Sequence, residues 1–138
     1  MNYWLLKTEP SVYSYGDLER DQRTVWDGVG NNLALKHIRQ VQHGDLAFIY
    51  HTGDVRALIG VAAVVSEPYA DPRLSDAKRQ VFDLVPQYAL IQPVTLATIK
   101  ALPEFQDFVL VKNARLSVMP VSPEQWQRLH ELGLHKLG

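Results

Sequence analysis

Two apolar runs, Leu46-Ala47-Phe48-Ile49-Tyr50-His51 and Ala57-Leu58-Ile59-Gly60-Val61-Ala62-Ala63-Val64-Val65, flank a short link that contains Thr52-Gly53-Asp54. Neither run alternates polar with apolar residues, so each predicts a strand covered on both faces. The link predicts an antiparallel hairpin between them. A hairpin with no wet face needs further elements above and below it, so the rest of the chain must wrap around it. With 138 residues, 46% of them hydrophobic and 21% charged, the chain has the material for that wrapping in a single domain over 1–138.

The flanking segments supply the covering. Tyr3-Trp4-Leu5-Leu6-Lys7-Thr8 predicts a strand that stops at Glu9-Pro10. Its alternation places Trp4 and Leu6 in the core and leaves Lys7 and Thr8 at the strand's end as possible contacts. Ser14 predicts the start of a short helical turn through Glu19. Asn31 or Asn32 can cap a helix through Val41, with Leu33, Ile38 and Val41 as its apolar positions. His43-Gly44-Asp45 reads as a tight turn. Glu67 to Arg79 is polar and turn-rich and predicts a mobile surface loop. Val81-Phe82-Asp83-Leu84-Val85 and Tyr88-Ala89-Leu90-Ile91 read as strand interrupted at Pro86. Thr95 caps a short helix over 96–101, and Val109-Leu110-Val111 and Leu116-Ser117-Val118-Met119 flank a hairpin tip at 112–115. Ser122-Pro123-Glu124-Gln125 matches a capping box, which starts a terminal helix that runs to about Leu132 and stops at Gly133. Five or six strands with three or four short helices make an α+β domain around a small curled sheet or barrel.

Several function classes drop out. A net charge of −1 does not suit a generally basic nucleic-acid coat and leaves room only for a local basic patch. Lys112 and Arg115 form either such a patch or an ordinary solvated turn. With no cysteine there is no thiol nucleophile, disulfide framework or zinc-thiolate site. The five histidines (His37, His43, His51, His130, His135) share no ligand spacing, so no metal and no cofactor is expected. His37 and His43 are expected in solvent; His51, at the end of a buried strand, either lines a cavity or satisfies nearby backbone. Met1-Asn2-Tyr3-Trp4-Leu5-Leu6-Lys7 is not a signal peptide, and no stretch approaches the roughly 20 apolar residues of a membrane span. A soluble, cytoplasmic protein with no membrane partner is expected. There is no G-x-S-x-G nucleophile elbow, and Gly28-Val29-Gly30 lacks the third glycine of a phosphate loop.

Base binding has more support. Trp26-Asp27-Gly28-Val29-Gly30-Asn31-Asn32 puts a large aromatic, two glycines and two amides into seven residues that read as neither helix nor strand. That inventory suits a planar polar ligand such as a nucleobase, and it suits equally a structural turn whose buried Trp anchors a helix start. Tyr3, Trp4, Trp26 and Tyr50 offer stacking faces; Thr8, Glu9, Asn31 and His51 can read a base edge; Lys7 can meet a phosphate. Glu9 and Asp27 can do acid–base work if brought together, or can serve as surface and capping groups.

Taken together, the chain resembles an EVE domain, one of the PUA-like group related to the YTH readers of methylated RNA. The resemblance lies in Tyr3-Trp4-Leu5-Leu6-Lys7-Thr8-Glu9-Pro10, in Trp26-Asp27-Gly28-Val29-x-Asn31 and in Gly44-Asp45-Leu46-Ala47-Phe48-Ile49-Tyr50-His51. It continues through Ile59-Gly60-Val61, Glu67-Pro68-Tyr69-Ala70-Asp71-Pro72 and Arg115-Leu116-Ser117-Val118-Met119-Pro120-Val121, collinear over nearly the whole chain. It implies a curled, barrel-like mixed sheet flanked by helices, with an aromatic-lined pocket for one modified base. It puts Trp26 at the stacking wall, Lys7, Thr8, Glu9, Asp27, Gly28, Val29 and Asn31 near the base edge, and Tyr50 and His51 on the facing strand. Three positions depart from the family's usual pattern: Gly30 stands where arginine is common, Ala34-Leu35-Lys36 where Ala-Arg-Asn is common, and Arg79 where a tryptophan is frequent.

The expectation is therefore a non-catalytic module that recognises a modified base of the 5-methylcytosine kind by base flipping, in DNA rather than RNA. The alternatives are a PUA-like enzyme that processes modified nucleosides through Glu9, Asp27 and His51, or a domain for a small metabolite or a protein partner.

Overall fold

The structure, a computed structural model, describes residues 1–134. In chain order the elements are β1 (Tyr3–Thr8), α1 (Tyr15–Asp21), β2 (Thr24–Trp26), α2 (Asn32–Ile38), β3 (Leu46–His51), β4 (Ala57–Val64) and β5 (Tyr69–Ala70). There follow β6 (Gln80–Thr95), α3 (Leu96–Ala101), a 3-10 turn (Pro103–Phe105), α4 (Val109–Lys112), β7 (Val118–Val121) and α5 (Pro123–Leu134). The sheet runs β2-β6-β4-β3-β1-β7, and two-residue β5 pairs with β6 away from that path. Every pairing is antiparallel except β1 with β3. It is a mixed α+β fold with a curled half-barrel sheet and short flanking helices, as the sequence predicts.

The β3–β4 hairpin is central, and Phe48, Leu58, Val61 and Ala62 in it are fully buried. On one side α5 lays Trp126 between two sheet aromatics, stacked on Tyr3 at 4.6 Å and on Phe48 at 3.9 Å. On the other, α1 delivers Tyr15 onto Gly60. A Cβ at position 60 would lie 2.4 Å from that ring, so only glycine leaves room for it. Tyr15 Oη donates to Val61 O at 2.7 Å, and Tyr15 N donates to His51 Nε2 at 3.0 Å. The 43–45 turn forms with Gly44 at φ +97°. Behind it the buried Asp45 carboxylate accepts from Trp4 Nε1, Asn2 N and Gln42 N, each at 2.9 Å.

Local rules place the helix starts correctly. Ser14, Asn31, Thr95 and Ser122 each accept from the backbone N–H three residues on, and Ser14 and Ser122 complete reciprocal capping boxes with Asp17 and Gln125. Several expectations need correction. Pro86 does not interrupt the strand: β6 is continuous for 16 residues, and Pro86 faces Ala62 at a register shift that leaves its neighbour Gln87 out of the ladder, the kind of irregularity where a strand tolerates proline. Residues 109–112 form α4 rather than a hairpin strand, with Val111 N and Lys112 N both donating to Phe108 O. Helix α2 stops at Ile38, and its inward positions are Ala34, Leu35 and Ile38, while Leu33 is exposed. Helix α5 continues through Gly133, which is buried against Leu90 rather than acting as a stop. The stretch from Trp26 is more regular than expected, since Trp26 ends β2 and Asn32 opens α2.

The 67–79 segment is exposed over 72–78, yet it contributes β5 and the buried Asp71. His37 is half-buried beside Trp4, with ring centroids 6.3 Å apart, rather than solvated. His135 lies outside the described residues.

Candidate nucleic-acid interface

Strands β2 and β7 are the two ends of the sheet, and no ladder among the described residues joins them. The curl brings these ends toward each other, and a cavity of about 470 Å³ opens in the seam. One wall is the end of β1 with Lys7 and Thr8, the following loop with Val12 and Tyr13, and Ser117 just before β7. The other is Thr24, Val25 and Trp26 of β2 and the Asp27-Gly28-Val29 turn. The volume falls within the roughly 300–1,000 Å³ of small-molecule sites.

The lining combines a fixed aromatic with polar groups of defined direction. Trp26 is only 7% exposed and belongs to the core, so packing sets its indole and a small part of it faces the cavity. Lys7 Nζ donates to Ala114 O at 2.8 Å and lies 5.7 Å from the Tyr50 ring centroid; burial lowers its pKa. Thr8 Oγ1 donates to Tyr13 O at 2.6 Å, which leaves its lone pairs free to accept. The Asp27 carboxylate accepts from Arg73, and Arg73 is held in turn by the buried Asp71 through its Nε (3.3 Å), Nη2 (3.2 Å) and backbone N (2.9 Å).

Of the ten site residues expected from sequence, Lys7, Thr8, Trp26, Asp27, Gly28 and Val29 line this cavity; Glu9, Asn31, Tyr50 and His51 do not. Asn31 spends its side chain on the cap of α2, accepting from Ala34 N at 3.0 Å. Glu9 is exposed and accepts from Ser11 and Thr52. Tyr50 is buried beneath Lys7. His51 is buried, and burial lowers its pKa against the opposing pull of the Glu9 carboxylate. Its Nε2 serves the Tyr15 backbone, the second of the two roles its position allowed. Glu9, Asp27 and His51 thus do not meet in one cleft. Val12, Tyr13, Thr24, Val25 and Ser117 line the cavity without having been singled out. Of these, Ser117 alone lies in a run beside the basic 112–115 turn, and in the structure it faces Lys7 at the end of the β1–β7 pairing.

Two of the departures from the usual pattern touch each other. The Arg79 guanidinium lies against Gly30, 2.8 to 3.0 Å from where a Cβ would be. Lys112 pairs with Asp107 at 3.0 Å, and Arg115 is exposed. Among the described residues no three His, Asp or Glu side chains gather to hold a metal ion, and no helix is long and apolar enough to cross a membrane.

A curled half-barrel sheet with short flanking helices is the PUA-like architecture. The EVE domain family model matches residues 2–132, and the chain belongs to that family. A Rhodopseudomonas palustris protein solved by NMR superposes with a TM-score of 0.92 at 37% identity, covering 96% of this chain and 93% of the other. Human THYN1, solved in complex with 5-methylcytosine-containing DNA, superposes at 0.87 with 25% identity over 99% and 100% of the two chains. Rat thymocyte nuclear protein 1 is 35% identical over 82 residues, 51% of this chain and 36% of the relative. An uncharacterised Schizosaccharomyces pombe protein is 32% identical over 125 residues, 78% and 52%. The chain spans about half, or less, of the length of these two curated relatives.

Proposed function

We propose that this chain is a non-catalytic module that takes one modified base, of the 5-methylcytosine kind and in DNA, into the seam cavity. The observation that carries this reading is the cavity itself: a packing-fixed indole and directional polar groups share a space of about 470 Å³. The THYN1 complex with 5-methylcytosine-containing DNA supports it from within the family. Val12, Val25 and Val29 offer apolar contacts to a methyl group. Thr8 Oγ1, the Asp27 carboxylate and Ser117 Oγ can accept from an exocyclic amine, and Lys7 can donate to a ring carbonyl. Extruding a base from its stack costs a few kcal/mol, which these contacts must offset. With a net charge of −1, counterion release contributes little, so affinity has to come largely from the pocket.

The test is a panel of single- and double-stranded oligonucleotides carrying cytosine or 5-methylcytosine, with wild type and Trp26→Phe. Trp26 is built into the core, where truncation to alanine would cost about 3–5 kcal/mol and confuse folding with binding. Phenylalanine keeps most of the packing. Wild type should prefer the methylated strand, and Trp26→Phe should lose part of that preference while remaining folded. Equal wild-type affinity for both strands refutes the reading.

A further inference from the structure

The 71–79 segment lies along the Asp27–Gly30 wall and is tied to it. Asp71, 3% exposed, receives the Arg73 backbone and guanidinium, and Arg73 crosses to Asp27 in the cavity lining. Asp71 N also donates to Arg79 O at 3.0 Å, so the backbone at Arg79 is registered to the same anchor. Arg73 is spent on two carboxylates. Arg79 is not: its one ion pair among the described residues is a 3.9 Å contact from Nε to the exposed Asp76, and its side chain is 43% exposed. Its guanidinium rests on Gly30, with Nη1 2.8 Å and Cζ and Nη2 3.0 Å from the position a Cβ would take. Gly30 is one residue beyond Val29 of the cavity lining. A Cβ at residue 30 would displace the guanidinium from this seat.

We propose that Arg79 is a phosphate contact, seated on Gly30 at the lip of the cavity, for the nucleic-acid backbone beside the base that enters it. This rests on the nucleic-acid reading above and adds to it the residue that meets the strand. The chemistry fits: a guanidinium with two terminal nitrogens presents paired donors to phosphate oxygens, and its long Asp76 contact is easily exchanged. The Asp71–Arg73–Asp27 chain is a positioning device for this contact, because it fixes the loop that carries Arg79.

The test compares wild type, Arg79→Ala and Gly30→Ala on a 5-methylcytosine oligonucleotide and its unmodified counterpart between 50 and 200 mM salt. Arg128→Ala, paired with Glu104 away from the cavity lining, is the control. One lost phosphate contact lowers the log–log salt slope by about 0.7 on single strands and 0.9 on duplex. Over the fourfold salt range the wild type should therefore lose about 2.5- to 3.5-fold more affinity than Arg79→Ala. The Arg79→Ala loss should be equal for modified and unmodified strands. Gly30→Ala, which keeps the charge but fills the seat, should weaken both strands too and add nothing in the double variant. An unchanged slope in Arg79→Ala, with wild-type preference for the methylated strand intact, overturns the phosphate contact and leaves the pocket standing. A loss confined to the methylated strand makes Arg79 a base reader and overturns it as well. Free 5-methyl-2′-deoxycytidine should bind both proteins alike. A loss seen only with its 5′-monophosphate, and not with oligonucleotides, assigns the seat to a free nucleotide and overturns the backbone assignment. If wild type binds no oligonucleotide at all, the nucleic-acid reading fails first.

Discussion

The contact between Tyr15 and Gly60 makes a demanding prediction about what holds the pocket in shape. In Gly60→Ala the new methyl would sit 2.4 Å from two Tyr15 ring carbons and 2.7 Å from a third. Carbon atoms prefer about 3.5–4.0 Å, so the ring must retreat by roughly 1–1.5 Å. Tyr15 is 1% exposed and packed within the core, so a retreat must displace its neighbours. A retreat of that size also takes its hydroxyl out of reach of Val61 O, now 2.7 Å away. Overpacking costs about 1–3 kcal/mol and a buried carbonyl without its donor about 1–3 more. Removing a strand glycine returns about 0.5–1. The net expectation is a loss of about 1–5 kcal/mol, a large part of the roughly 5–15 that a domain has. With a urea m-value of about 1–3 kcal/mol/M, the midpoint should fall by at least about 0.3 M. Because α1 follows the loop that carries Val12 and Tyr13, binding should weaken even where the variant stays folded. Shortening the ring should remove the penalty, so Gly60→Ala and Tyr15→Leu should combine to less than their sum. Strict additivity, or a midpoint within about 0.3 M of wild type, refutes the reasoning.

Two further outcomes follow from the same packing. At Gly133 the intruding Cβ would first meet the Leu90 side chain at 2.8–3.0 Å, which can shift more readily than a buried ring, and alanine is the better helix former by about 1 kcal/mol. Gly133→Ala should therefore shift the urea midpoint far less than Gly60→Ala. His51 has its pKa lowered, chiefly by burial, with Glu9 opposing. The unfolded chain then takes up the proton first, so its contribution is complete above the unfolded value near 6.5 and is lost as pH falls toward the depressed folded value. Protonation would also turn Nε2 from an acceptor into a donor facing Tyr15 N–H. Stability measured between pH 7.5 and 5 should fall more steeply in wild type than in His51→Gln; parallel curves sink this assignment.

What sequence could reveal divides along a physical line. Caps at Ser14, Asn31, Thr95 and Ser122 act over three residues, so their local pattern was sufficient. The hairpin was legible because two-sided burial leaves its mark in each strand separately. Pro86 reads as a break because its tolerance depends on how β6 registers against β4, with Gln87 left out of the ladder beside it, and Gly133 reads as a stop because its reason is Leu90, 43 residues away in the chain. The site divides in the same way. Lys7 and Thr8 were readable from strand alternation. Tyr50 and His51 sit on the strand paired in parallel with β1, directly beside those residues, yet the core and the Tyr15 backbone claim them. Thr24 and Val25 become neighbours of Lys7 only when the sheet curls, and no spacing encodes that; Ser117 reaches it through the β1–β7 pairing, where Lys7 N donates to Ser117 O at 2.9 Å.

The unpaired seam between β2 and β7 gives the curl a mechanical consequence. Width can change there without breaking any strand-to-strand hydrogen bond, whereas anywhere else in the sheet it would cost ladder bonds. The cavity is thus a gauge of how far the half-barrel is wound. A ligand that bridges its walls would lock the winding, protecting the amides of short edge strand β2 from exchange well before those of β4, which only global unfolding exposes.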